Sequence, residues 1–178
     1  MKNKAVFLDR DGVINKIIYD HDRGVYSAKN MDDFEIFEGV EKSIKTLKQK
    51  GYLVIIVTNQ PGITYGYIDK KEYNQITEFL KKLGVDEVYT CIHPPETKCG
   101  CRKPSSKMLI DAANKYSIDL NESYMIGDNI SDLQAGVVCG KTIFIGKKRA
   151  DIMNLFSEYK VNPDGYFESL YEAVKVIK

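Results

Sequence analysis

Two carboxylates stand one residue apart in Phe7-Leu8-Asp9-Arg10-Asp11-Gly12, directly after an apolar run that begins at Ala5. A short Ala-Val-Phe-Leu run suits a central parallel strand covered on both faces, and such sheets bind ligands beyond the carboxyl ends of their strands. Asp9 is therefore mounted as a nucleophile would be. Continued extended backbone would set Asp9 and Asp11 on one side, close enough to share a divalent cation, and would turn Arg10 away from both. Asp-Gly at a strand end is also ordinary turn chemistry, so the pair gains meaning only from what the chain brings to it.

Three further stations follow. The apolar run 52–57 ends in Thr58-Asn59-Gln60-Pro61-Gly62, where a hydroxyl and backbone N–H groups suit phosphate oxygens. Arg102-Lys103-Pro104 supplies fixed positive charge, and 123–126 leads into Gly127-Asp128-Asn129-Ile130-Ser131-Asp132, another strand ending in an acid. Phosphate-ester hydrolysis spreads charge over the phosphoryl oxygens, so cations and oriented donors carry its catalysis. Asp9 is placed to attack phosphorus, and a carboxylate nucleophile splits one difficult displacement into two easier ones.

In order, the chain offers Asp-x-Asp, Thr, Lys and Gly-Asp-x-x-x-Asp, and in this it resembles the haloacid dehalogenase superfamily of phosphatases. The stretches 7–12, 58–63 and 101–104 are similar to the branch that holds D-glycero-D-manno-heptose 1,7-bisphosphate phosphatase and histidinol-phosphatase. The resemblance implies that Asp11 protonates the leaving oxygen and then deprotonates the hydrolytic water. Asp9 and Asp128, with the backbone carbonyl of Asp11, offer hard oxygens that suit Mg²⁺. Lys103 becomes a donor to the phosphoryl group and to Asp9, and Thr58 with the N–H of Asn59 donates to the transferring oxygens. Asn59, Gln60, Arg102 and Asn129 are the expected substrate contacts. Asp132, four residues after Asp128, either holds the metal indirectly or caps a helix.

A second cluster places Cys91, His93, Cys99 and Cys101 within one short loop. Three thiolates and an imidazole fit tetrahedral Zn²⁺, and four protein ligands leave no open position, so the site would be structural. A Cys99–Cys101 disulfide would be strained, and no leader precedes the run at Ala5, so a reducing, cytoplasmic setting is expected. Cys-x-His, a five-residue spacer and Cys-x-Cys-Arg-Lys-Pro also mark the zinc-containing branch of the family. Metal here would fix where Arg102 and Lys103 point. Cys139 is left over as an inert buried thiol, and His21 is assigned to solvent.

These residues must be positioned by strands near 5–8, 52–57, 86–91, 123–126 and 141–145, alternating with helical patterns near 39–50, 69–83, 105–116 and 129–138. That order predicts a single α/β domain over 1–178, an open, mostly parallel Rossmann-like sheet with helices on both faces. Leu170, Val174 and Ile177 predict a closing amphipathic helix within 168–178. At 178 residues and 43% hydrophobic, with 26 basic against 25 acidic residues, the chain can bury a core and has no charge excess demanding nucleic acid. A monomer acting on a small phosphorylated metabolite is expected, with no membrane partner.

The intervals between motifs leave no room for a large cap domain. The polar stretch 16–33, with Tyr19, Arg23 and Tyr26, is expected to wall the site. Where the heptose enzymes carry Gly-Ile-x-Arg-Gly, this chain has Gly62-Ile63-Thr64-Tyr65-Gly66, and Asn129 stands where they often carry Lys. The cysteine spacer has the short form common in the histidinol branch. The expected reaction is removal of the 7-phosphate from a heptose 1,7-bisphosphate, with histidinol phosphate as the alternative substrate. The Thr and Lys-Pro motifs also resemble the 3′-phosphatase domain of polynucleotide kinase-phosphatases, which lacks the cysteine loop.

Overall fold

The computed structural model describes residues 2–21 and 24–178. Six strands form one all-parallel sheet: β1 (Lys4–Leu8), β4 (Tyr52–Asn59), β5 (Glu87–Cys91), β6 (Tyr124–Gly127), β7 (Lys141–Ile145) and β8 (Gly165–Phe167), ordered β5-β4-β1-β6-β7-β8. The two remaining strands, β2 (Ile18–Asp20) and β3 (Gly24–Tyr26), pair antiparallel as a separate hairpin. The helices are α1 (Val40–Gln49), α2 (Lys70–Lys82), α3 (Lys107–Tyr116), α4 (Ile130–Ala135), α5 (Ala150–Tyr159) and α6 (Leu170–Val176).

Alternation along β1 explains the layers. Val6 and Leu8 join Val54, Ile56 and the apolar stripes of α1, α2 and α6, while Ala5 and Phe7 join Ile55, Val57 and α3 on the other face. Ile44, Leu47, Ile76, Leu80 and Leu109 are fully buried, each contributing about 1.5–3 kcal/mol. Asp69 caps α2 by accepting from the N–H of Lys71 at 2.7 Å, which satisfies donors the helix itself leaves free.

The expected strands and helices lie where the sequence put them, with three additions. Within 16–33, β2 and β3 pair antiparallel, and three-residue strands are too short for a legible alternation. Helix α5 packs against β7 through Phe156, whose ring meets Phe144 edge-on at 5.1 Å. Strand β8 closes the β7 edge with three residues. Arg23, expected on the site wall, lies outside the described residues, and no helix among those described is long and apolar enough to cross a membrane.

Parallel register positions the site. Leu8 pairs with Ile56 on one side and Ile126 on the other, so the chain segments carrying Asp9, Thr58 and Asp128 leave three adjacent strands at the same level.

Candidate active site

Lys103 is the hub of the site, although 4% exposed. Its Nζ donates to Asp9 Oδ1 at 2.7 Å and to the Val57 carbonyl at 2.8 Å, and stands 2.6 Å from Asp132 Oδ1. Three acceptors match the three ammonium protons. Burial alone would lower the Lys103 pKa, yet Asp132 and Asp9 outweigh it and hold the group above the usual lysine range. The backbone of Lys103 is clamped as well: its N–H donates to Asn59 Oδ1 at 3.1 Å and its carbonyl accepts from Asn59 Nδ2 at 3.2 Å.

Asp9, Asp128 and Asp132 each bring a carboxylate oxygen within 4.8 Å of the others. Burial, opposed by Lys103 and reinforced by Asp132, pushes Asp9 up to about 7. Burial and then repulsion from Asp9 and Asp132 push Asp128 up to about 8. Carboxylates crowded in this way are costly without a cation between them. The chain makes room for them: a Cβ on Gly12, at φ +87°, would lie 2.0 Å from Asp128 Oδ2, and one on Gly127 would lie 2.2 Å from Asp132 Cβ. A hard-oxygen set of this kind fits Mg²⁺.

Asp11 is held apart from that cluster. Its carboxylate accepts from Arg10 Nη2 at 3.0 Å, Asn15 Nδ2 at 2.9 Å, Ser27 Oγ at 2.9 Å and Gln60 Nε2 at 2.7 Å. Burial would raise its pKa, but the Arg10 guanidinium, then the Asn15 and Gln60 hydrogen bonds, keep it below the ordinary carboxylate range. One environment raises Asp9 and another lowers Asp11, the separation that lets paired carboxylates take different roles.

Two sequence expectations are corrected here. Arg10 does not turn away: strand geometry ends at Leu8, and the fully buried guanidinium folds back onto Asp11 between the rings of Phe34 and Tyr73, each 5.7 Å from it. Gln60 is no substrate contact; it is fully buried and its amide donates to Asp11 and to Thr58 Oγ1. The remaining expected residues, Thr58, Asn59, Arg102 and Asn129, line a cavity of about 400 Å³ with Asp9, Asp11, Lys103 and Asp128. Of these, Asn59 has its amide committed to Lys103, and Asn129 caps α4 by accepting from Ser131 N–H at 3.1 Å. Asp132 does double duty, its Oδ2 accepting from Asn129 N–H while Oδ1 faces Lys103. Ser27 and Asn15 were missed, because nothing in a polar loop distinguishes a hydroxyl or amide that will meet a distant carboxylate.

The cysteine loop gathers as expected. Cys101 Sγ lies 3.3 Å from Cys91 Sγ, 3.5 Å from Cys99 Sγ and 3.3 Å from His93 Nδ1, while Cys91 Sγ lies 3.7 Å from Cys99 Sγ. All three thiols are free. Donors about 2.3 Å (S) and 2.0–2.1 Å (N) from one tetrahedral ion stand about 3.6–3.8 Å apart, and separations of 3.3–3.7 Å lie just inside that, so the set fits Zn²⁺. Burial raises the Cys99 thiol, but the N–H groups of Arg102 and Cys101 overcome it and bring it down to about 6. Arg102 Nη1 donates to the His93 carbonyl, tying the loop to the catalytic segment. Cys139 stands apart, half-buried, its thiol pushed up by burial to about 12.

Strand order, the acid triad around a buried lysine, and the hydroxyl of Thr58 define a haloacid dehalogenase-like hydrolase, and the chain belongs to that family, whose profile matches residues 9–145. Its class is that of the phosphoric monoester hydrolases. It is 44% identical over 142 residues to the D-glycero-beta-D-manno-heptose-1,7-bisphosphate 7-phosphatase of Helicobacter pylori strain J99, covering 76% of this chain and 78% of that protein. To the D-glycero-alpha-D-manno-heptose-1,7-bisphosphate 7-phosphatase of Campylobacter jejuni it is 35% identical over 173 residues, covering 90% and 94%. The solved D,D-heptose 1,7-bisphosphate phosphatase of B. bronchiseptica, complexed with magnesium and phosphate, is similar in fold at a TM-score of 0.78 and 28% identity, covering 97% of this chain and 96% of that one.

Proposed function

We propose that the chain, acting as one cytoplasmic monomeric domain over 1–178, removes the 7-phosphate of a D-glycero-D-manno-heptose 1,7-bisphosphate. The observation that carries this reading is the Lys103 ammonium 2.7 Å from Asp9 in a crowded acid cluster, in a chain whose relatives are named for that reaction. Asp9, Asp128 and the carbonyl of Asp11 would hold Mg²⁺, with Asp132 behind them. The bound ion supplies charge neutralisation for the phosphate and its attacking carboxylate. Cys91, His93, Cys99 and Cys101 would hold a structural Zn²⁺.

Asp9 attacks phosphorus, the bond to the sugar oxygen breaks, and that oxygen leaves with a proton from Asp11. In the free site Asp11 is the ionised carboxylate, so it takes this proton from solvent as an anionic substrate settles beside it, since neighbouring negative charge raises a carboxyl pKa. Lys103 and Thr58 stabilise charge on the transferring oxygens. Asp11 then accepts a proton from the water that attacks the aspartyl-phosphate, releasing phosphate and restoring Asp9.

The test is phosphate release with Mg²⁺ from both heptose 1,7-bisphosphate anomers, histidinol phosphate and a 3′-phosphorylated oligonucleotide. A preference of about a hundredfold in kcat/KM for a heptose bisphosphate, ~2.7 kcal/mol of discrimination, is expected. A preference for histidinol phosphate would overturn the assignment.

A further inference from the structure

Two cavities of about 580 Å³ flank the catalytic one. One lies between β3 and the 61–68 loop; the other lies beside the end of β7. Asp11 decides which receives the body of the substrate, because the leaving oxygen must meet the carboxylate that gives it a proton. Ser27, which holds Asp11, lines both the catalytic cavity and the first flank, together with Val25, Tyr26 and Pro61. The second flank meets the catalytic cavity at Ile17 and Asp128, the metal end, and contains none of the groups that hold Asp11.

We propose that the leaving sugar occupies the cleft between β3 and 61–68, and that Lys29 binds its second phosphate. This rests on the reading of the substrate as a bisphosphorylated sugar. Lys29 lines the cleft, its ammonium held 4.4 Å from the Tyr26 ring centroid, and no carboxylate lies within ion-pair distance of it among the described residues. In the other flank Lys16 pairs with Glu35 and Arg149 with Asp151, which leaves Lys147 as its rival cation; that flank lies at the metal end, away from the groups that hold Asp11. The cleft wall is aromatic: the rings of Tyr65 and Tyr67 stand 5.6 Å apart, and Tyr67 is 69% exposed. Apolar walls with a few fixed polar groups are how small-ligand sites combine affinity with orientation. The wall is also anchored, since the Tyr65 hydroxyl donates to Glu96 and Thr64 Oγ1 to the Ile92 carbonyl on the cysteine loop. Lys29 would thus replace, from the hairpin side, the cation that Tyr65 removes from the 61–68 loop.

The experiment compares kcat/KM for heptose 1,7-bisphosphate and heptose 7-phosphate in wild type, Lys29→Gln, Lys29→Arg and Lys147→Gln, with thermal unfolding of each. Lys29→Gln is expected to lower the bisphosphate-to-monophosphate ratio about tenfold, through KM, and Lys29→Arg to recover most of it. As a second variant, Tyr67→Ala is expected to lower kcat/KM for both sugars relative to p-nitrophenyl phosphate. An unchanged ratio in Lys29→Gln, or a fall in Lys147→Gln instead, would overturn the assignment. So would a wild type that hydrolyses both sugars without preference. A wild type that hydrolyses neither would overturn the proposed substrate as well.

Discussion

Gly12→Ala isolates the space that the metal cluster requires. A Cβ at Gly12 would lie 2.0 Å from Asp128 Oδ2 and 2.4 Å from its Cγ, against an ordinary contact of about 3.5 Å. The carboxylate must therefore retreat by about 1.5 Å, and the side chain of Asp128 is too short to retreat without leaving the cluster. The positive φ of +87° adds backbone strain of about 1–2 kcal/mol. Gly51→Ala serves as control, since Gly51 has φ +81° with nothing within 4 Å of the built Cβ. Both variants should lose a few degrees of unfolding midpoint, about 2–4 °C per kcal/mol at this size. Only Gly12→Ala should lose catalysis, by about a hundredfold in kcat/KM for an ångström-scale displacement, with a higher Mg²⁺ requirement. Phosphate release across a Mg²⁺ titration measures both. Wild-type turnover and metal dependence in Gly12→Ala would refute the placement of Asp128 as a metal ligand.

Gln60→Ala should lower kcat by about 10–100-fold, the usual cost of removing a group that orients a reacting residue, and kinetics with p-nitrophenyl phosphate would show it. Asp9 and Asp128 are raised from 3.8 to about 7 and about 8, so the folded state binds more protons than the unfolded one between about pH 4 and 8. In Mg²⁺-free buffer, stability should fall as pH rises through that window, and added Mg²⁺ should raise the unfolding midpoint more at pH 8 than at pH 6. A midpoint that climbs from pH 5 to pH 8 without Mg²⁺ would contradict these shifts. Cys99→Ser should lose the roughly one zinc per chain that elemental analysis is expected to find, and should lose activity with it, because Arg102 and Lys103 follow the loop directly.

The chemistry was legible because it sits where apolar runs stop. Asp9, Thr58 and Asp128 each follow a buried run, and parallel order brings strand ends together without further information. The cysteine loop was legible for a different reason: four ligands within eleven residues need almost no tertiary knowledge to meet. What stayed hidden depended on where side chains turn once the strand ends. Arg10 was expected outward by strand alternation, yet the backbone after Leu8 curls so that Asn15 N–H reaches the Arg10 carbonyl, and the guanidinium follows it inward. Gln60 reads as a loop residue facing ligand, but the chain turns it under the sheet end, where Asp11 and Thr58 need its amide. Strand β8 is three residues long, too short for a legible alternation, and α5, although rich in apolar residues, is absent from the expected helices; Phe156 packs it against Phe144 of β7.

The strand order also sets a schedule for synthesis. Asp9 directly follows the first strand made, but β1 is flanked by β4 and β6, and the acids that complete its cluster follow only after β6. Roughly 120 residues separate Asp9 from Asp128, about 6–24 s of translation at ordinary rates. For most of that interval the nascent chain carries a nucleophile without Lys103, and for all of it without Asp128 and Asp132. A chain cut short before Asp128 therefore carries its nucleophile without two of the three acids of the cluster.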